Sequence, residues 1–183
     1  MPHSSLLPTL GIALLLAGCT GIPEGTEPVS DFELDRYLGQ WYEIARLDHS
    51  FERGMECVTA DYSLRDDGGV RVLNRGVRLD GGEIELAEGR AYFIGDEDMG
   101  RLKVSFFGPF YGGYNVLALD DDYRWSLVAG PDRDYLWILA RTPSLDEATR
   151  QALVAEARGL DFPVEELIWV EQGQVCDAWR KEA

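Results

Sequence analysis

Three cysteines and two histidines hold most of the reactive chemistry available to this chain. The cysteines are Cys19, Cys57 and Cys176. An odd count gives one of them a separate task and leaves two that could pair. His3 lies at the extreme N-terminus, so His49 is the histidine to consider. It sits in Arg46-Leu47-Asp48-His49-Ser50-Phe51-Glu52-Arg53. Asp, His and Ser are the residue types of a nucleophilic triad, but neighbours on one loop do not reach triad geometry by spacing alone. One histidine with no second ligand nearby in sequence does not make a zinc site. Acidic runs such as Asp120-Asp121-Asp122 lack calcium-loop spacing and read as solvated turns. Gly112-Gly113 reads as hairpin chemistry rather than a phosphate cradle. The sequence therefore assigns no catalytic residue, no metal ligand and no cofactor, and favours a binder over an enzyme.

Cys19 has a distinctive context. Residues 6–17 are almost all apolar, too short a run to span a bilayer but right for a signal peptide. The run ends in Leu16-Ala17-Gly18-Cys19, which resembles the lipobox of bacterial lipoproteins. That resemblance implies a diacylated Cys19 thiol and a cut before it. Several acyl chains are needed because one alone holds a protein only marginally. The pattern is departed from in one respect: residues 1–5 carry no Lys or Arg. Residues 1–18 are thus expected to be a leader and residues 19–34 a lipidated tether, polar and rich in Gly and Pro. Thr20, where retention in the inner membrane usually shows Asp, favours the outer membrane on its periplasmic side.

The chain has 183 residues and a formal net charge of −16, from 17 Lys+Arg against 33 Asp+Glu. Such a surface repels phosphate backbones, so no nucleic-acid partner is expected. Membrane contact must come from the lipid anchor rather than a basic patch. The length suits one domain plus a leader.

The elements that must position these residues are mostly strands. Short apolar runs at 39–47, 57–64, 70–78, 84–94, 101–107, 114–119, 125–130 and 135–141 alternate with Gly/Asp turns. Eight strands with hairpin-length links predict an up-and-down antiparallel sheet, and closure into a barrel would remove its edges. Ser144-Leu145-Asp146-Glu147 reads as a capping box opening a helix to about Arg158, with Leu145, Ala148, Ala152 and Ala155 or Glu156 as its apolar stripe. The last strand is apolar on both faces, so the helix is expected to cover it. Residues 167–170 could add a ninth strand. The domain is expected at 35–172, with a tail at 173–183.

Alternation along the strands proposes the lumen wall. Leu102, Val104 and Phe106 are the clearest set. Ala60 and Tyr62, Ala91 and Phe93, Tyr114 with Val116 and Ala118, Leu127 with Ala129, and Tyr135 with Trp137 and Leu139 complete it. Small residues mixed with aromatics suggest a wall with hollows, but periodicity equally allows the aromatics to fill the barrel.

Gly39-Gln40-Trp41 near the first strand's start, Asp121-Asp122-Tyr123 between the sixth and seventh strands, and Arg141 after the eighth resemble the three ordered motifs of the lipocalin family. Phe106-Phe107-Gly108-Pro109-Phe110-Tyr111-Gly112-Gly113-Tyr114 and Gly130-Pro131-Asp132-Arg133-Asp134-Tyr135-Leu136-Trp137-Ile138 are similar to its bacterial outer-membrane lipoproteins. The likeness runs from about Asp35 to Val170. It implies an all-β fold: an eight-stranded antiparallel up-and-down barrel with one C-terminal α-helix outside. It implies that Gly39, Trp41, Asp122, Tyr123 and Arg141 are structural, with Arg141 across Trp41 at the closed end, and that a fatty acid or lysophospholipid enters from the other. A relative within the family bonds two cysteines at positions matching Cys57 and Cys176, which implies the same bond here. At the mouth, Arg46 or Arg53 would supply a cation for a carboxylate, beside His49 and the Phe110-Tyr111 loop. An enzyme on the same scaffold and a structural barrel with a filled lumen are the alternatives, and a homodimer is left open.

Overall fold

Eight antiparallel strands close on themselves in the computed structural model, which describes residues 20–78 and 80–181. Cys19 and the leader expected at 1–18 lie outside the described residues. The strands are β1 (Gly39–Arg46), β2 (Met55–Leu64), β3 (Val70–Arg78), β4 (Glu83–Phe93), β5 (Arg101–Ser105), β6 (Gly112–Leu119), β7 (Trp125–Ala129) and β8 (Leu136–Ala140). Each pairs with the next, and β8 returns to β1 with Tyr42 opposite Ala140 and Arg46 opposite Trp137. Closure leaves no edge among the eight. The links at 65–69, 94–100 and 120–124 gather at one end, with the short helix α1 (Leu34–Tyr37). The links at 47–54 and 106–111, the β3–β4 turn and the link at 130–135 gather at the other end, here the mouth.

Two irregularities set the inward faces. Between Val116 and Ala118 the β6–β7 register shifts, so Tyr114 and Val116 face the lumen while Leu117 and Ala118 both pack outside. Between Glu43 and Ala45 the β1–β8 register shifts too. Trp41 lies in the lumenal cluster, whereas Ile44 and Ala45 join the outer one. An extra residue in one strand reverses the side on which all later side chains fall.

Helix α2 (Glu147–Gly159) follows β8. Asp146, not Ser144, is its N-cap, and its side chain accepts from the Thr149 amide. The buried residues are Leu153 and Ala157, while Ala148, Ala152, Ala155 and Glu156 are exposed. The expected stripe was set by the alanines, but the larger Leu153 removes more apolar area from water, and the helix turns accordingly. Leu153 and Ala157 pack with Leu136, Ile138 and Ala140 of β8 and with Leu127 and Ala129 of β7. The doubly apolar β8 is thus covered as expected. Leu127 is corrected: it lies under the helix, and Val128 beside it joins the lumenal cluster instead.

Beyond α2 come a 3₁₀ turn (Val164–Glu166), β9 (Ile168–Trp169) and a helix α3 (Gln174–Lys181) in the expected tail. Strand β2 pairs with β1 only from Gly39 to Tyr42. Beyond that, β9 pairs with Ala45 and Arg46. Gln172 bridges the split, donating to the Glu43 and Val58 carbonyls at 3.0 and 2.6 Å. Cys57 sits at the β2 irregularity with φ +57° and is bonded to Cys176, as the resemblance implied. With Val77, Ile84 and Trp179 the bridge forms a small outer core.

The segment read as a tether is not a free spacer in its described part. Asn115 donates to the Gly21 carbonyl at 3.0 Å, and Arg133 to that of Glu24. Val29 exchanges backbone bonds with Val116 and Gly100, each 2.8 Å, and the Phe32 amide donates to Asp98. Residues 20–33 therefore run as a strap from the mouth along the barrel to its closed end, where Val29 and Phe32 pack against the lumenal cluster.

Candidate functional site

The closed end is sealed by rings. Trp41 is fully buried and donates its indole N–H to the Tyr37 carbonyl at 2.8 Å. The Arg141 guanidinium carbon lies 3.9 Å from the Trp41 ring centroid. Arg141 donates to the carbonyls of Gln40 (2.8 Å), Arg36 (2.7 Å) and Tyr123 (3.3 Å), so one side chain ties α1, β1 and the β6–β7 turn. Gly39 opens β1 with φ +89°, a conformation that suits glycine. Tyr123 is buried and its hydroxyl accepts from the Glu33 amide at 2.8 Å. Asp122 is corrected: its side chain is 77% exposed, and Asp120 holds this turn by accepting from the Asp122 and Arg124 amides. In this chain the carboxylate that can cap the turn is the first of the three acids.

Above this plug lies a floor of tyrosines. Tyr114 hydroxyl is 2.8 Å from that of Tyr37 and 3.0 Å from that of Tyr62, and Tyr37 also meets Ser126 Oγ at 3.1 Å. Burial pushes the Tyr37 hydroxyl up to about 12, against the pull of its Ser126 and Tyr114 bonds. Burial raises Tyr62 and Tyr114 as well. All three stay neutral and keep a proton to donate. Phe32, from the strap, and Phe93 pack beside them.

Toward the mouth the lumen carries charge. Glu43 and Arg46 form a pair at 2.7 Å with side chains 4% and 2% exposed. Arg46 also donates to the Glu52 and Met55 carbonyls. Glu52 Oε2 lies 3.0 Å from His49 Nε2 and accepts from the Trp137 indole at 3.1 Å. His49 is buried, with its ring centroid 5.2 Å from that of Trp137 and 5.8 Å from that of Tyr135. Burial pushes the Glu43 carboxyl well above the ordinary range, the Glu52 charge adds to this, and Arg46 offsets only part. Burial also pushes Glu52 upward, but the bonds from His49 and Trp137 and the nearby positive charges outweigh it and hold Glu52 below the ordinary range. Burial thus favours the protonated form of Glu43, while the bonds and charges around Glu52 favour its ionised form.

This answers two expectations. Arg46 is turned inward and engaged by Glu43 and two carbonyls, and Arg53 is bound by Asp48 at 2.7 Å. Neither is a free cation for a carboxylate. Asp48 is thereby occupied elsewhere, and His49 faces Glu52, so Asp48-His49-Ser50 makes no triad. Among the described residues no group of three or more His, Cys, Asp or Glu is placed to hold a metal.

The remaining wall is apolar. Ala60, Tyr62, Leu102, Val116 and Leu139 are buried in the lumenal cluster. Phe93, Val104, Phe106, Tyr114 and Trp137 pack against it while only partly buried. Tyr135 precedes β8 at the rim and stacks on Trp137, with centroids 6.2 Å apart. A shallow hollow of about 240 Å³ lies elsewhere, on the outer wall between α2 and β9. Sequence reasoning missed Phe32, Tyr37, Glu43, Glu52 and Ser126. Glu43 was within reach, because alternation from Trp41 puts a carboxylate on an inward face. Glu52, in a loop, carries no such signal.

The lipocalin-like domain family matches residues 32–172. The outer membrane lipoprotein Blc of Escherichia coli K12 is 56% identical over 162 residues, 87% of this chain and 92% of that protein. The outer membrane lipoprotein Blc of Vibrio cholerae is 52% identical over 161 residues, covering 87% and 94%. In fold, insecticyanin from the tobacco hornworm Manduca sexta aligns with a TM-score of 0.68 at 24% identity, covering 86% of this chain and 89% of that one.

Proposed function

The chain belongs to the lipocalin family, and on that premise we propose that it is an outer-membrane lipoprotein, anchored through Cys19, that carries the acyl chain of a fatty acid or lysophospholipid in its upper lumen. One observation carries the reading. Val104, Phe106, Tyr114 and Trp137 point into a barrel walled on every side by strands, yet remain only partly buried. An acyl chain lying against them would remove their remaining apolar surface from water. Each CH₂ removed from water contributes about 0.8 kcal/mol. The tyrosine floor limits the depth, so the chain sits between that floor and the rim.

The charged cluster sets what the polar end can be. Arg46 is engaged by Glu43 and two carbonyls and Arg53 by Asp48, so neither is free to draw a carboxylate inward, and the headgroup stays at the rim in water. Binding is then dominated by acyl burial, with little demand on the headgroup. A role in supplying or storing lipid for the envelope follows, with no chemical step.

The test is organic extraction of the protein purified from its native membrane, followed by mass spectrometry, together with displacement of a fluorescent fatty acid. Val104→Trp, which fills the upper lumen, should weaken displacement at least about tenfold. A lipid-free extract with no displacement in the native chain would instead support a barrel that serves as structure.

A further inference from the structure

A polar side chain stands unpaired inside the apolar wall. On β3, Val70 and Val72 belong to the lumenal cluster, and the β3–β4 register runs without a shift from Val70 to Arg78. Side chains alternate along such a strand, so Asn74 also faces inward. It lies opposite Ala60 of β2 and Ala87 of β4, and Ala60 is in the lumenal cluster too. The Asn74 Oδ1 is shut off from solvent and has no hydrogen-bond partner.

Among the described residues, nothing in the adjoining wall can supply one. The inward neighbours are Ala60 and Ala87 across the strands and Val72 and Gly76 along β3, none with a polar side chain. A Cβ on Gly76 would meet Met55 Cε at 2.6 Å and Val58 Cγ2 at 3.1 Å, so the next place along the strand is filled by apolar groups. Ala87, by contrast, faces inward and is still exposed, which leaves open space beside the amide. Tyr62 pairs with Val72, so Asn74 stands one inward step, about 7 Å along the strand, on the mouth side of the tyrosine floor. That depth sets it against the tail of an acyl chain rather than its headgroup. A buried amide without a partner is unfavourable, and bare hydrocarbon lying on it supplies none.

We infer that Asn74 is a specificity-determining residue, through which the lumen prefers acyl chains bearing a hydroxyl or carbonyl oxygen in the tail half to unsubstituted ones. This selectivity rests on the reading that an acyl chain occupies the lumen, and deepens it. The amide offers both a donor and an acceptor. A hydroxyl therefore bonds it in either orientation of the side chain, and a carbonyl oxygen accepts from its N–H. A site that bonds a ligand oxygen discriminates against the analogue lacking it, because the analogue leaves the buried polar group unpaired. Asn74→Leu should abolish that discrimination without harming the barrel.

The experiment uses the full chain and displacement of a fluorescent fatty acid by stearate and by stearates carrying a single hydroxyl at successive positions. The native chain should bind a stearate hydroxylated in the tail half about three- to tenfold more tightly than stearate itself, the worth of a net hydrogen bond. The advantage should peak over neighbouring positions and fall away on either side. Asn74→Leu should erase it and keep stearate affinity within about twofold. Its thermal midpoint should be unchanged or higher, since an unpaired amide gives way to an apolar group of similar size. Asn74→Ala, which adds space instead of apolar bulk, should erase the advantage as well. A flat series in the native chain, with stearate bound, overturns the selectivity and leaves the lumenal reading intact. An advantage that survives both variants, or that peaks beside the carboxylate, overturns it too. Displacement by no ligand removes the lumenal reading and the selectivity with it.

Discussion

Arg141→Ala should cost about 3–4 kcal/mol of stability and leave lipid affinity unchanged. The guanidinium lies 3.9 Å from the centroid of the fully buried Trp41, which is worth about 1–2 kcal/mol when partly desolvated. Two short bonds, to the Gln40 and Arg36 carbonyls at 2.8 and 2.7 Å, add about 1 kcal/mol each at this half-exposed position. The 3.3 Å contact to Tyr123 adds little. For a domain of this size each kcal/mol moves the midpoint by about 2–4 °C, so thermal melts followed by circular dichroism should shift down by roughly 6–16 °C. Arg141→Lys keeps the charge and loses the planar fork, and should lose about half as much. Fluorescent fatty-acid displacement below the melting range should match the native chain, because the floor of Tyr37, Tyr62 and Tyr114 separates plug from lumen. A midpoint shift under about 2 °C, or a loss of affinity with stability intact, would refute the division into a structural end and a binding end.

The Cys57–Cys176 bond spans 119 residues, and loop entropy puts its contribution at up to about 5 kcal/mol; urea midpoints with and without reductant should differ, and identical midpoints would count against it. Arg46→Met removes the balance to Glu52 and should destabilise by about 3–5 kcal/mol at neutral pH, with much of the loss recovered when Glu52→Gln is added, as a double-mutant cycle would read. Glu52 is held below its ordinary range, so its contribution is present above the unfolded value and fades as pH falls through the lower folded value; Glu52→Gln should flatten the acid side of the stability–pH curve. Glu43 is raised, so its protonated form favours the fold at low pH and that contribution is lost as pH rises through the raised value. Glu43→Gln should flatten that limb, and denaturant titrations across pH would show either limb unaltered if the assignment of protons is reversed.

The eight strands were legible because period-two alternation and Gly/Asp turns are local signals, and β3 runs over the residues the pattern marks, Val70–Arg78. The motifs Gly39, Trp41 and Arg141, and the bonded pair Cys57 and Cys176, were legible from resemblance. Only the tertiary structure decided which face of some strands is inside. Leu127 and Val128 are equally apolar, since β7 is covered by the lumen on one side and α2 on the other, and no pattern within five residues separates two buried faces. Likewise Arg46 faces inward because of a one-residue register shift in β1, a feature fixed by pairing with β8 rather than by the local sequence. The strap at residues 20–33 reads as a spacer for the same reason. Its hydrogen bonds go to Val116, Gly100 and Asp98, residues far away in the chain, and a Gly/Pro-rich segment carries no record of partners that only folding brings beside it.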